Sequence, residues 1–268
     1  VSNGKLTGIL IDNAMDLVDT KIPTISDSLA KKYLDAAQQM CFGYGLTGVH
    51  DCGISEHIVD LVDAEQRAGK LKMKIFAFLS DSARYYDKWI EKGPYITNLL
   101  HVGGFKVYAD GALGSRGACL LEDYSDKPGW KGFLLSDTSY FKTIAAKLAH
   151  SSLQMCTHAI GDSGNREILH IYAEVLKGKN DRRWRIEHAQ VINDADFNLL
   201  DEAVGTFNEH GNDSWAYDQR GFDYIVRDQF GYDNDIDHDL FGDVTDRTGY
   251  QRMISKAAAN DNYPSSDG

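Results

Sequence analysis

His158 and His188 each end a short apolar run, Met155-Cys156-Thr157-His158-Ala159-Ile160-Gly161-Asp162 in one case and Trp184-Arg185-Ile186-Glu187-His188-Ala189-Gln190 in the other. Neutral imidazole is a common metal ligand. Two histidines at the ends of successive strands, one strand–helix unit apart, suit a metal site at the C-terminal mouth of an α/β barrel, because strand ends converge there. A single histidine in an α/β domain is more often a packed structural residue, but the matched contexts of these two favour ligation. His57, His101, His150 and His170 fall in no such motif and read as surface or packing residues.

The elements that must hold these residues can be traced back along the chain. Val49-His50-Asp51 ends one candidate strand, Lys74 to Leu79 forms a second, and Phe105-Lys106-Val107-Tyr108-Ala109-Asp110 forms a third. His50 and Lys106 lie 56 residues apart with one strand between them. That gives about 28 residues per unit, near the roughly 31 expected when ~250 residues are shared by eight units. The step from Lys106 to His158 is longer, and the excess falls between Gly111 and Asp137, where glycines, Pro128 and Trp130 predict a long loop on the functional face. Leu29, Tyr33, Ala36, Ala37, Met40 and Cys41 recur at helical spacing behind a Ser26 or Asp27 cap. Ser55 caps a second helix with Ile58, Leu61 and Val62 inward and Gly69 at its end. Ile168, Leu169, Tyr172, Val175 and Leu176 make a third, ending near Gly178. This alternation predicts a parallel α/β architecture.

Four ordered strings, Gly48-Val49-His50-Asp51-Cys52-Gly53, Lys106 to Arg116, Thr157 to Asp162 and Arg185 to Gln190, resemble the amidohydrolase superfamily, with Gly8 to Ala14 also similar. The nearest branch is the amidohydrolase-3 group, which includes N-substituted formamide deformylases, and the resemblance runs from about Gly8 to Glu202. It implies a distorted (β/α)8 barrel that binds one or two divalent metals, usually zinc, and hydrolyses amide-type bonds of small molecules. His158 and His188 match that family's fifth- and sixth-strand ligands, and Lys106 its fourth-strand lysine. An ammonium cannot coordinate a cation, so Lys106 serves as a ligand only as a carbamate; its alternative is an interior lysine paired with a carboxylate. His50, Asp110 and Asp162 are candidate substrate contacts, with structural roles as the alternative.

The family's first strand carries a His-x-His pair, and the chain contains none. The resemblance therefore implies a partial TIM-type barrel lacking the first strand, comprising residues 1–202. Its exposed edges would need covering, by a homo-oligomer for example. Residues 203–268 read as a divergent acidic segment: 13 acidic residues against five basic carry eight of the chain's net charge of −12. Asp243 or Asp246 is the candidate for the family's eighth-strand aspartate. Two functions stay open, a metal-dependent hydrolase that is weak in this chain, and a non-catalytic barrel fragment or ligand-binding remnant.

With 268 residues and 43% hydrophobic content, the chain can bury one large core. The acidic balance argues against nucleic-acid binding. No apolar run is long enough for a membrane helix, and the N-terminus lacks signal-peptide character, so a soluble, cytoplasmic protein is expected. Cys41, Cys52, Cys119 and Cys156 show no Cys-x-x-Cys spacing and read as reduced thiols; Cys52 and Cys156 near strand ends leave a functional role open.

Overall fold

A computed structural model describes residues 4–199, apart from 6, 7, 11, 20, 178 and 179. Residues 203–268, including Asp243 and Asp246, and the helix stop at Gly178 lie outside the described residues. After a single helical turn, α1 (Asp16–Asp19), the chain alternates helix and strand. Its elements are α2 (Asp27–Gly43), β1 (Gly48–Ile54), α3 (Glu56–Arg67), β2 (Lys74–Ser80), α4 (Ala83–Lys92), β3 (Tyr95–Ile96), β4 (Leu100–Tyr108), α5 (Thr138–Ala149), β5 (Gln154–Ala159), α6 (Asp162–Leu176) and β6 (Arg185–His188).

The strands form one sheet in the order β1-β2-β4-β5-β6, every neighbour parallel, with the two-residue β3 added antiparallel to the start of β4. In a flat sheet the first and last of five strands would stand roughly 19 Å apart, at ~4.8 Å per step. Here Arg185 Nη1 of β6 lies 2.8 Å from His50 Nδ1 of β1. The sheet is therefore curled, and its concave face is a partial TIM-type barrel interior.

The convex face carries the apolar core. Ala77, Leu79, Val102, Phe105, Val107 and Met155 of the strands meet Val59, Val62, Tyr86, Trp89, Phe141, Leu148, Ile168 and Leu169 of the helices, all buried. Phe105 stacks on Tyr86 with ring centroids 4.3 Å apart. Thr157 points to the same side and shares a 2.7 Å hydrogen bond with the hydroxyl of Tyr172, so its polar atom is satisfied within the core.

A bulge in β4 sets which side chains face inward. Ala77 pairs with Val102 and the next residue, Phe78, with Gly104, so Gly103 is the extra residue. A Cβ at Gly103 would stand 2.4 Å from the Phe76 ring. His101 and Lys106, five residues apart, consequently share the concave face.

Helix α3 follows the sequence reading, with the Ser55 side chain accepting from the Ile58 amide and Val59, Leu61 and Val62 buried. Helix α2 does not follow it fully. Ser26 caps it as expected, but Leu29, Tyr33 and Met40 are exposed and the buried positions are Ala30 and Gln38. The cause is a long-range anchor. Gln38 Oε1 accepts from the amides of Lys72 and Met73, and its Nε2 donates to the Lys70 carbonyl. These bonds turn the Gln38 side of the helix toward the turn before β2.

The core assignment predicts unequal costs for two aromatic truncations. Phe105→Ala should destabilise the chain by about 3–5 kcal/mol, whereas Tyr33→Ala on the exposed side of α2 should fall within about 0.5 kcal/mol. Urea unfolding of both variants checks this, and equal losses would place the α2 stripe in a core.

Candidate functional site

Strand register brings the motif residues to one end of the concave face. Lys106 is paired with Cys156, and Cys156 with Arg185. One step toward the strand ends, Tyr108 is paired with His158 and His158 with Glu187. Alternation along a strand puts these six side chains on one face in two layers.

By the same alternation His188 would point to the convex side. It does not, because His188 has a φ of 76° and Ala189 one of 44°. Two successive non-glycine residues in the left-handed region end β6 and bring the His188 ring to 4.6 Å from that of His158, edge-on at 72°. Such conformations are costly and concentrate at functional sites.

Both imidazoles are held neutral. Burial, followed by the charges of Lys106 and His188, pushes the His158 pKa down to about 4. Burial and then Lys106 also lower that of His188. His158 Nε2 is buried without a hydrogen-bond partner, with the nearest carboxylate oxygen, Asp110 Oδ1, 3.6 Å away. A neutral ring nitrogen left unpaired at a strand end has the character of an open ligand. Lys106 is also buried, its Nζ 3.9 Å from the Tyr108 ring centroid, and desolvation lowers its pKa toward the neutral amine.

Below this level lies a polar cluster that the motif reading missed. Arg185 Nη2 is 2.6 Å from Glu187 Oε1 and 3.8 Å from the sulfurs of both Cys52 and Cys156, and its guanidinium lies 4.6 Å from the Phe78 ring centroid. The ligand atoms of Cys52, Cys156 and Glu187 fall within 4.8 Å of one another. Burial, the largest single influence, would raise the Glu187 carboxyl, but Arg185, the Cys156 hydrogen bond and Lys106 together outweigh it and hold the group below the usual carboxylate range. With that cation among them, these three groups could take a divalent ion only if Arg185 moved aside. The signal in the sequence was the alternation of Arg185 and Glu187 about Ile186.

His50, Asp110 and Asp162 are placed differently from the histidine pair. His50 lies deeper, level with Phe76 and His101, stacked on Phe76 at 5.0 Å and bonded to Arg185. Asp110 accepts three backbone amides, from Cys119 at 2.9 Å, Ile160 at 2.9 Å and Gly161 at 2.8 Å. Burial raises its pKa in spite of those bonds. Asp162 Oδ1 accepts from Leu121 at 2.8 Å and Ser163 at 3.0 Å. Both carboxylates thus fasten the 111–137 loop to the start of α6. At Gly161 a Cβ would meet the Cys119 carbonyl at 2.0 Å, so the contact requires glycine. Ala118, Tyr124 and Ile160 form a small separate core under this loop, with Trp130 packed against it.

Comparison with known proteins agrees with this fold. The model of the amidohydrolase family matches residues 1–207. YtcJ of Bacillus subtilis (strain 168), which carries an amidohydrolase name, is 33% identical over 210 residues, covering 76% of this chain and 38% of that protein. Protein LONG AFTER FAR-RED 3 of Arabidopsis thaliana is 32% identical over 202 residues, 70% of this chain and 35% of its own length. Crystal structures of uncharacterized metal-dependent hydrolases from Pyrococcus furiosus and Pyrococcus horikoshii OT3 superpose with TM-scores of 0.60 and 0.59 at 28% and 25% identity. They cover 70% and 69% of this chain, and 38% and 37% of theirs. The chain spans well under half the length of each of these relatives.

The anchoring role of Asp110 can be tested directly. Asp110→Asn replaces an acceptor with a donor against backbone amides, which should cost about 1–3 kcal/mol for the unsatisfied groups. Limited trypsin digestion should then cut the loop faster at Arg116 and Lys131. Unchanged cleavage rates would show that Asp110 does not hold the loop.

Proposed function

The chain belongs to the amidohydrolase family, and from that premise we propose that it supplies the middle strands of a metal-dependent hydrolase acting on non-peptide, amide-type carbon–nitrogen bonds of small molecules. The observation that carries the reading is the facing pair of imidazoles of His158 and His188, one with an unpaired buried nitrogen and the other brought beside it by its own left-handed backbone. These residues fit a divalent ion, for which we propose zinc. Such an ion, when bound, lowers the pKa of a water and polarises a carbonyl. Lys106 would join the histidines after its neutral amine takes up carbon dioxide and loses a proton to become a carbamate. Burial prepares it for that reaction by favouring the uncharged amine.

The remaining residues work at one remove. Asp110 and Asp162 shape the substrate space by fixing the loop that borders it, and His50 acts through Arg185. No His-x-His pair occurs among the nine histidines, so the proposed ligand set here is His158, His188 and Lys106. With so few ligands we expect little turnover from this chain alone.

Elemental analysis of the purified chain after incubation with zinc and gel filtration provides the test. We expect His158→Ala and His188→Ala each to weaken zinc retention at least about tenfold, since even indirect partners of a ligand are worth 10–100-fold. Assays on N-formyl and N-acyl amines with added zinc should show weak turnover at most. Equal zinc retention by wild type and the double variant would overturn the site. Strong turnover that survives both substitutions would place the chemistry elsewhere.

A further inference from the structure

Cys52 lies on β1 and Cys156 on β5, strands that are not neighbours in the sheet. The curl nevertheless sets their sulfurs, with a Glu187 oxygen, within 4.8 Å of one another. Arg185 Nη2 stands 3.8 Å from each sulfur, and Cys156 Sγ is 3.1 Å from Glu187 Oε1. The two thiols differ in access, since Cys156 is fully buried and Cys52 is half-buried. The other cysteines are apart from this group, Cys41 on α2 and Cys119 in the long loop. Two facing thiols beside a fixed guanidinium, one reachable and one protected, have the makings of an attacking and a resolving cysteine.

We propose that Cys52 and Cys156 form a reversible intramolecular disulfide when the protein meets a two-electron oxidant of the peroxide class. The Cys52 sulfur attacks one oxygen of hydrogen peroxide and the O–O bond breaks. The departing oxygen leaves as water with the thiol proton, and Cys52 becomes a sulfenic acid. The Cys156 sulfur then attacks the Cys52 sulfur, the S–O bond breaks, and a second water leaves with the Cys156 proton. Two thiols lose two electrons in total, and one peroxide is reduced to two waters.

Closing a bond of about 2.05 Å requires the two sulfurs, now within 4.8 Å of one another, to approach. β5 is held between β4 and β6, whereas β1 has a strand partner on one side only among the described residues and carries a register shift between Cys52 and Ile54. The adjustment therefore falls on β1. The bond would lie beside Arg185, under the layer that holds His158.

The test is a thiol map of the whole chain. The protein is exposed to a graded excess of hydrogen peroxide, quenched with catalase, unfolded and alkylated with iodoacetamide. It is then digested with chymotrypsin, whose cuts at Phe42 and Tyr44 separate Cys41 from Cys52. We expect two of the four thiols to escape alkylation and one linked peptide pair to join Cys52 to Cys156 in a monomeric chain. Dithiothreitol should restore all four. Cys52→Ser and Cys156→Ser should each abolish the linked pair, and the wild-type map decides the matter even if either variant folds poorly. The proposal is overturned if all four thiols stay alkylatable, if Cys52 is carried to sulfinic acid with Cys156 still free, or if the linked pair contains Cys41 or Cys119.

Discussion

Arg185 leaves the last described strand, crosses the concave face and reaches His50 on the first, holding Glu187 on the way, and the shape of the sheet follows from that bridge. An arginine this deeply buried needs a partner for its charge, and Glu187 provides it at 2.6 Å. Losing one member of such a pair typically costs about 3–5 kcal/mol, because the other is left charged in a low dielectric. The planar fork serves several partners at once, stacking on Phe78 while its nitrogens meet an imidazole, a carboxylate and two sulfurs. A lysine could not make that set of contacts. Curvature here is thus enforced by polar contacts on the inside as well as by helices packed on the outside.

The mouth of the sheet is cross-braced by two carboxylates. Asp110 closes β4 and gathers three amides from two separate segments, so the long loop and the β5–α6 turn are tied to one carboxylate. Asp162 repeats the arrangement one turn further on. His188 sits against this frame in a backbone conformation that would otherwise relax. Fixed surroundings allow a strained residue to persist, and the strain is what aims the ring.

Much of this was legible from residue type and spacing, and the failures have physical causes. Lys106 and His158 were found by their motifs, and the structure places them on one face, with the apolar Phe105, Val107 and Met155 alternating to the other. The caps at Ser26 and Ser55 follow from local hydrogen bonding. His188 was found by its motif, but its inward direction depends on a φ of 76°, which no periodicity encodes. The exposed stripe of α2 misled because the face of that helix is chosen by Gln38 binding backbone more than 30 residues away. The cluster of Cys52, Cys156 and Arg185 was invisible for a similar reason: Cys52 and Arg185 are 133 residues apart and meet only once the sheet has curled.

The extra residue in β4 works as a phase shifter. Side chains alternate with a period of two, so His101 and Lys106, an odd number of positions apart, would fall on opposite faces of a regular strand. The bulge at Gly103 resets the count and restores them to the same side. If Gly103 instead took a regular place in the ladder while the first half of β4 kept its register, Lys106 would turn into the helix layer and Phe105 into the polar interior. The strand's functional display is in this sense a matter of parity. A single-residue insertion between Gly104 and Lys106 should be far less tolerated than a substitution at Tyr108, the exposed residue of β4.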